Sequence, residues 1–225
     1  MVGPCRAGGA LLLAAALLPT PIFAQSPRPW PDTFLARVEA LALVESLNAT
    51  LLSSRSATFT LDAWCADHKL AGEPKIRATL VRDVDKPATP EQRARLEVGP
   101  DEPIKFRHVE LVCGDHVLSI ADNWYVPSRL AAAMNRTLET TDTPFGRAVA
   151  ELKPFRRTFA AETLWKPLVD GWELKPPPPD RPGESLAIPD KLFEHRALLF
   201  TPDLKPFSEV DETYTREILS FGPPP

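Results

Sequence analysis

The chain has 225 residues and a formal net charge of −4 at pH 7, from 26 Lys and Arg against 30 Asp and Glu, and 44% of its residues are hydrophobic. That length and apolar content suffice for one domain with a buried core, and the acidic balance leaves no basic footprint for nucleic acid. Proline is frequent, 26 of 225, and it gathers at both ends and in one internal stretch.

In chain order, Arg6 and the apolar run Ala7 to Leu18 precede "PIFAQS". This is the pattern of a secretory signal with Ala24 before the cut. Residues 1–24 therefore read as a signal peptide, the mature chain starts at Gln25, and the protein is expected to be secreted or periplasmic, with no membrane contact after cleavage. An uncleaved anchor is the alternative. Residues 25–225 read as a single domain.

"DTFLARVEALALVESLNATLL" (32–52) places Phe34, Val38, Leu41, Val44, Leu47 and Leu51 at helical spacing, with Asp32 as the expected cap. A second helix is expected in "TFTLDAWCADHKL" and a strand in "PKIRATLVRDV". "TPEQRARL" combines Thr89, Pro90 and Gln92 as cap, first-turn proline and capping-box glutamine.

A hairpin follows, "PIKFRHVELVC" and "HVLSIADNWYVP" around Gly114-Asp115. "PSRLAAAMNRTLE" and "DTPFGRAVAEL" read as short helices, the latter with Thr143 as cap and Pro144 in the first turn. "FRRTFAAETLW" is a strand, residues 166–190 form a Pro-rich insert on the surface, and "EHRALLF" with "PFSEVDETYT" makes a closing hairpin before a frayed "FGPPP" tail. With no βαβ rhythm, the pattern implies an α+β fold, an antiparallel β-sheet with helices packed around an internal ligand cavity. Once Cys5 leaves with the signal, Cys65 and Cys113 remain, either bridged or as two buried thiols.

Two-residue alternation puts several charges on apolar faces. Arg107 lies with Val109 and Leu111, and Glu212 with Val210 and Tyr214. Arg157 lies with Phe155, Phe159 and Trp165, and Asp122 with Leu118, Ile120 and Trp124. An inward charge must be paired, hydrated or functional. Either Arg107 pairs with Glu212 or Asp122, or these residues line a polar cavity for an anion. The four histidines, His68, His108, His116 and His195, show no metal-ligand spacing, and no nucleophile elbow, glycine phosphate loop or CxxC is present.

The order of "FRHVELVCGD", "LSIADNWYVP" and "LETTDTPFGRAV", with Glu212-Thr213-Tyr214 in the last hairpin, resembles the chorismate pyruvate-lyase family. The resemblance covers nearly the whole mature chain, and Thr143-Pro144-Phe145-Gly146-Arg147 is its most specific motif. It implies cleavage of chorismate, or an analogue, to 4-hydroxybenzoate and pyruvate in a closed cavity without metal or cofactor. By the same resemblance Arg107 binds a carboxylate and Glu212 holds the hydroxyl end, with a part in proton transfer. The backbone near Ala57, Phe145 and Gly146 completes the site, and a further arginine often found on the neighbouring strand aligns near Asn123. The same fold also serves as the effector-sensing domain of GntR-type regulators, so the alternative is an exported module that binds an aromatic carboxylate without turnover.

Overall fold

Thr33, not Asp32, starts the first helix of the computed structural model, which describes residues 28–223 and Gly3. The expected signal peptide, Gly3 apart, lies outside the described residues. The Thr33 hydroxyl accepts from Ala36 N at 3.2 Å and caps α1 (Phe34–Ser53). Asp32 is instead buried against Arg37 at 2.7 Å, because a guanidinium turned into the core needs an anion more than the helix needs a second cap. Ala36, Ala40, Val44, Leu47 and Leu51 form the buried stripe of α1.

Next come α2 (Ala57–Asp67), β1 (Arg77–Val81) and α3 (Pro90–Arg95), the last closed by the expected capping box of Thr89 and Gln92. β2 (Lys105–Cys113) and β3 (His116–Tyr125) form the central hairpin. Its turn needs a residue at positive φ (58°) whose Cβ would lie 2.8 Å from Ala71, so Gly114 fits where a larger residue would not.

The helix expected from Pro127 is split. A single 3-10 turn, Pro127–Arg129, ends at an extended Leu130, and α4 spans Ala132–Thr140. α5 (Phe145–Ala148) is capped by Pro144, extended at φ −59° and ψ 146°, while the Thr143 hydroxyl accepts from Thr141.

β4 (Phe155–Thr163), β5 (Lys191–Phe200) and β6 (Pro206–Thr215) complete a six-stranded antiparallel sheet of order β1-β2-β3-β6-β5-β4. The fold is α+β. Buried residues of α1, α2 and α4 join the inner sheet face in one core, against which Phe145 and Ala148 of α5 also pack. The Pro-rich insert is largely exposed, yet it is strapped to the start of α1. Arg181 N donates to Asp32 O, Asp32 N to Glu184 O and Leu186 N to Trp30 O, each at 2.8–2.9 Å. The tail is not frayed at its start either: Phe221 stacks on His68 at 4.2 Å because Trp30 and Trp64 leave an apolar step there.

Cys65 of α2 and Cys113 of β2 are bridged, with Cα atoms 6.2 Å apart. The bridge closes a long loop, 48 residues in separation, and ties α2 to the strand that carries Arg107. Replacing both cysteines by serine is expected to lower unfolding free energy by about 2–4 kcal/mol, read by denaturant titration. An unchanged midpoint would show that the bridge does not hold the folded chain together.

Candidate functional site

On the inner face β2 delivers Arg107, buried to 5% exposure, opposite Asn123 of β3. β6 delivers Glu212, also 5% exposed, between Ala121 of β3 and His195 of β5. Arg107 and Glu212 thus share a face two strands apart, roughly 10 Å by strand spacing. The starts of α2 and α5 cover them, so that Ala57, Phe145 and Gly146 line one cavity together with Arg107 and Glu212. Gly146 is required for that fit. A Cβ there would lie 2.4 Å from the Ser56 hydroxyl and 2.8 Å from that of Thr58.

The electrostatics of the two ends differ. Arg107 Nε and Nη2 are buried with no hydrogen-bond partner, and burial pulls the guanidinium below its ordinary pKa. Asp122 does not pair with it. Asp122 faces the other side of the sheet, 2.6 Å from His108 Nδ1 and 2.5 Å from Lys86 Nζ. Ile120 and Trp124 share that outer face with Asp122, where the segment before α3 provides cover, the Trp124 indole donating to Lys86 O, whereas Leu118 joins the core.

Glu212 is engaged. Its Oε2 lies 2.6 Å from Arg156 Nη1 and accepts the Tyr214 hydroxyl at 2.9 Å; both contacts use the same oxygen. Arg156 is the inward arginine of β4, its side chain 3% exposed, whereas the alternation of Phe155, Phe159 and Trp165 pointed to Arg157. Arg157 is exposed over the Phe200 ring, on which Phe155 also stacks. The aromatic residues of this edge strand mark its outer side, and a bulge between Thr158 and Ala160 shifts the phase beyond. A second guanidinium therefore enters the cavity from β4, not from β3, where Asn123 stands.

Burial works against the Arg156 charge, but Glu212 beside it more than offsets this and raises its pKa. Burial, reinforced by Glu212, drives the Tyr214 phenol well above its usual range. One Nη2 of Arg156 remains without a partner.

The start of α2 adds donors. Ser56 makes no side-chain cap, its hydroxyl has no partner, and the first helical bond is Thr60 N to Ser56 O at 3.2 Å. The preceding amides, those of Ala57 and Thr58, are the orphan donors of a helix N-terminus at the cavity wall. The cavity is narrow, about 40 Å³. A single ordered water needs ~10–15 Å³, so a carboxylate-sized group fits, while a ring requires the wall of α2 and α5 to give.

The chain is 49% identical over 217 residues to uncharacterized protein y4mC of Sinorhizobium fredii, an alignment covering 95% of this chain and 92% of that one. It belongs to the y4mC family. No protein-family model matches. Among solved structures, PhnF from Mycobacterium smegmatis aligns over 87% of this chain and 90% of its own at 13% identity, with a TM-score of 0.49. The effector domain of PhnF aligns over 72% and 89%, also at 13% identity and with a TM-score of 0.45. The possible transcriptional regulator YydK from Bacillus subtilis aligns over 64% of this chain and 58% of its own, at 18% identity and a TM-score of 0.40.

Two predictions test this geometry of the y4mC-family chain. His195 is 1% exposed, its Nε2 is 2.7 Å from Asn48 Oδ1, and its Nδ1 has no partner. Burial, and then Arg156, hold its pKa down from 6.5 to about 4. The unfolded chain therefore binds the proton more readily, and the stability linked to His195 is complete above pH 6.5 and is lost as pH falls toward 4. Melting temperature should drop over that window, and less so in His195→Gln; parallel curves would remove the assignment. Gly146→Ala should separate α5 from α2 and cost roughly 1–3 kcal/mol in denaturant unfolding, with no loss if the two helix starts are not in contact.

Proposed function

We propose that this domain binds a small cyclic or aromatic carboxylate, with the carboxylate on Arg107. The observation that carries the reading is the pair of unpartnered donors, Nε and Nη2, on a guanidinium that is 5% exposed. A buried charge without a counter-ion costs several kcal/mol, and these two donors lie on one edge of the planar fork, where a carboxylate accepts two parallel bonds. The α2 amides lie in the same cavity wall and favour the same sign of ligand. Val109, Leu111, Leu199 and Val210 offer apolar surface to a ring between the two ends. The resemblance to chorismate pyruvate-lyases supports the same site. Residues 1–24 and the Cys65–Cys113 bridge support a single exported domain in an oxidising compartment.

A second reading, cleavage of chorismate, is favoured by one observation: a carboxylate, Glu212, stands in the cavity with Arg107. In that reaction the ether bond breaks, the ring loses a proton and becomes aromatic, and the departing enolpyruvate gains a proton to become pyruvate. The driving force resides in the substrate. The protein has only to position it, exclude water and stabilise charge as it moves.

Calorimetric titration with 4-hydroxybenzoate tests the first reading. Arg107→Ala should weaken binding by about 2–5 kcal/mol, the cost of removing one partner from a buried charged contact, and equal affinity would refute the clamp. Incubation with chorismate tests the second. Release of hydroxybenzoate and pyruvate above the spontaneous rate, absent in Glu212→Gln, would establish a lyase; no release, or release undiminished in that variant, would remove the catalytic role of Glu212.

A further inference from the structure

The Pro-rich insert encloses a second concavity against the start of α1, about 400 Å³ in volume and sharing no lining residue with the Arg107 cavity. That volume falls in the ~300–1,000 Å³ range of small-molecule pockets. Trp165, Leu168, Val169, Trp172 and four prolines line it, together with the Asp32–Arg37 pair. Proline-rich walls are stiff, so the concavity is shaped before anything enters it. Gly171, at φ 73° with open space around it, makes the left-handed turn that leads into Trp172, and Phe34 of α1 meets the Trp172 ring edge to face at 5.8 Å.

The indoles of the chain divide into two kinds. Trp30, Trp64 and Trp124 each donate the ring N–H to a backbone carbonyl, those of Leu219, Ile218 and Lys86. Trp165 and Trp172 are partly buried in the wall of this pocket, and their ring N–H groups have no such partner among the described residues. The ion pair beside them is also incompletely engaged. Arg37, 7% exposed, holds Asp32 Oδ1 at 2.7 Å through Nε and Nη2. Its other contacts, Nη1 and Nη2 to Pro179 O, stretch to 3.4 Å, beyond the ~2.7–3.2 Å of a well-formed bond. Asp32 Oδ2 has only a 3.4 Å contact with Arg181 among the described residues.

Charge narrows the class of ligand. Asp32 and Arg37 cancel, Lys166 lies 2.6 Å from Asp170, and Arg181 and Lys175 are exposed to solvent that screens them. With no enclosed net charge, the pocket favours neither an anion nor a cation. It offers under-used donors, an under-used acceptor and aromatic faces. A pyranose ring matches all three: its hydroxyls both donate and accept, and the C–H bonds of its face, polarised by neighbouring oxygens, stack on the electron-rich face of an indole. A polyproline segment, another occupant of aromatic-lined grooves, has no N–H to give to Asp32 Oδ2.

We infer that the insert forms a saccharide-binding site, separate from the Arg107 cavity. In it Trp172 stacks on a neutral pyranose unit, while the Asp32–Arg37 pair and the Trp165 N–H take its hydroxyls.

The test titrates the full-length protein with four neutral tetrasaccharides, cellotetraose, maltotetraose, mannotetraose and chitotetraose, and with decaproline. Binding is read by ligand-observed NMR and by tryptophan fluorescence. At least one tetrasaccharide should bind, and Trp172→Ala should weaken it by ~10-fold or more, as loss of a central tryptophan anchor does. Trp172→Phe keeps a ring against Phe34, so it should retain most of the affinity while losing most of the fluorescence change seen in the parent. Failure of all four saccharides to bind overturns the inference, as does equal affinity in Trp172→Ala or an undiminished fluorescence change in Trp172→Phe. Decaproline binding more tightly than every saccharide, and lost in Trp172→Ala, overturns it in favour of a peptide groove.

Discussion

A guanidinium enclosed on the covered face of the sheet, with two of its donors unused, is the constraint around which this structure is arranged. Arg107 sits in the middle strand of the β1-β2-β3 half of the sheet, and its neighbours along that face are Val109 and Leu111. Such a charge is unfavourable unless something completes it, and no side chain of the described residues does. The helices lie over it in the same sense. The start of α2 brings uncapped amides, and α5 approaches closely because Gly146 presents no Cβ to Ser56 and Thr58. These features disfavour a cation there, and under the proposed function an anion completes them.

The opposite end of the cavity follows another rule. There the ionic groups are satisfied by one another: Arg156 holds Glu212, Tyr214 donates to it, and His195 stays neutral beside them. A buried pair of this kind adds little to stability relative to apolar packing but is costly to break from one side. Its effect is to fix the Glu212 carboxylate in position. Asymmetry between an open positive end and a closed neutral end gives the cavity a direction. The Cys65–Cys113 bridge contributes mechanically, since it joins the helix and the strand whose other ends line the Arg107 cavity.

Much of this was legible from residue order. The period-two pattern of "FRHVELVC" sets Arg107 inward, and that of "SEVDETYT" does the same for Glu212 and Tyr214, because β2 and β6 are interior strands on which Val109 and Leu111, and Val210 and Tyr214, mark the covered face. The capping box at Thr89 was equally clear, being a contact between neighbours in sequence. The pattern failed on β4 and β3. On β4, an edge strand with a bulge, Phe155 and Arg157 lie over Phe200 on the outer side, so the apolar residues that guided the reading marked the wrong face and Arg157 was taken for Arg156. On β3, Trp124 and Ile120 pointed to an inward Asp122, but outer-face cover from the α3 segment makes apolar residues there no guide to direction.

The sequence by itself determined which segments are helices and strands, the antiparallel α+β character, and the presence of an inward arginine and an inward glutamate, because each of these rests on contacts or periodicities within a few residues. Only the tertiary structure decided that Arg156 rather than Arg107 is the partner of Glu212, that Asp122 faces the other side of the sheet, that Cys65 and Cys113 are joined, and that Arg107 is left unpaired. Those outcomes depend on which strands become neighbours and on what covers each face, and such long-range choices are made by the packing of the whole core, with no trace in the spacing of residues along the chain.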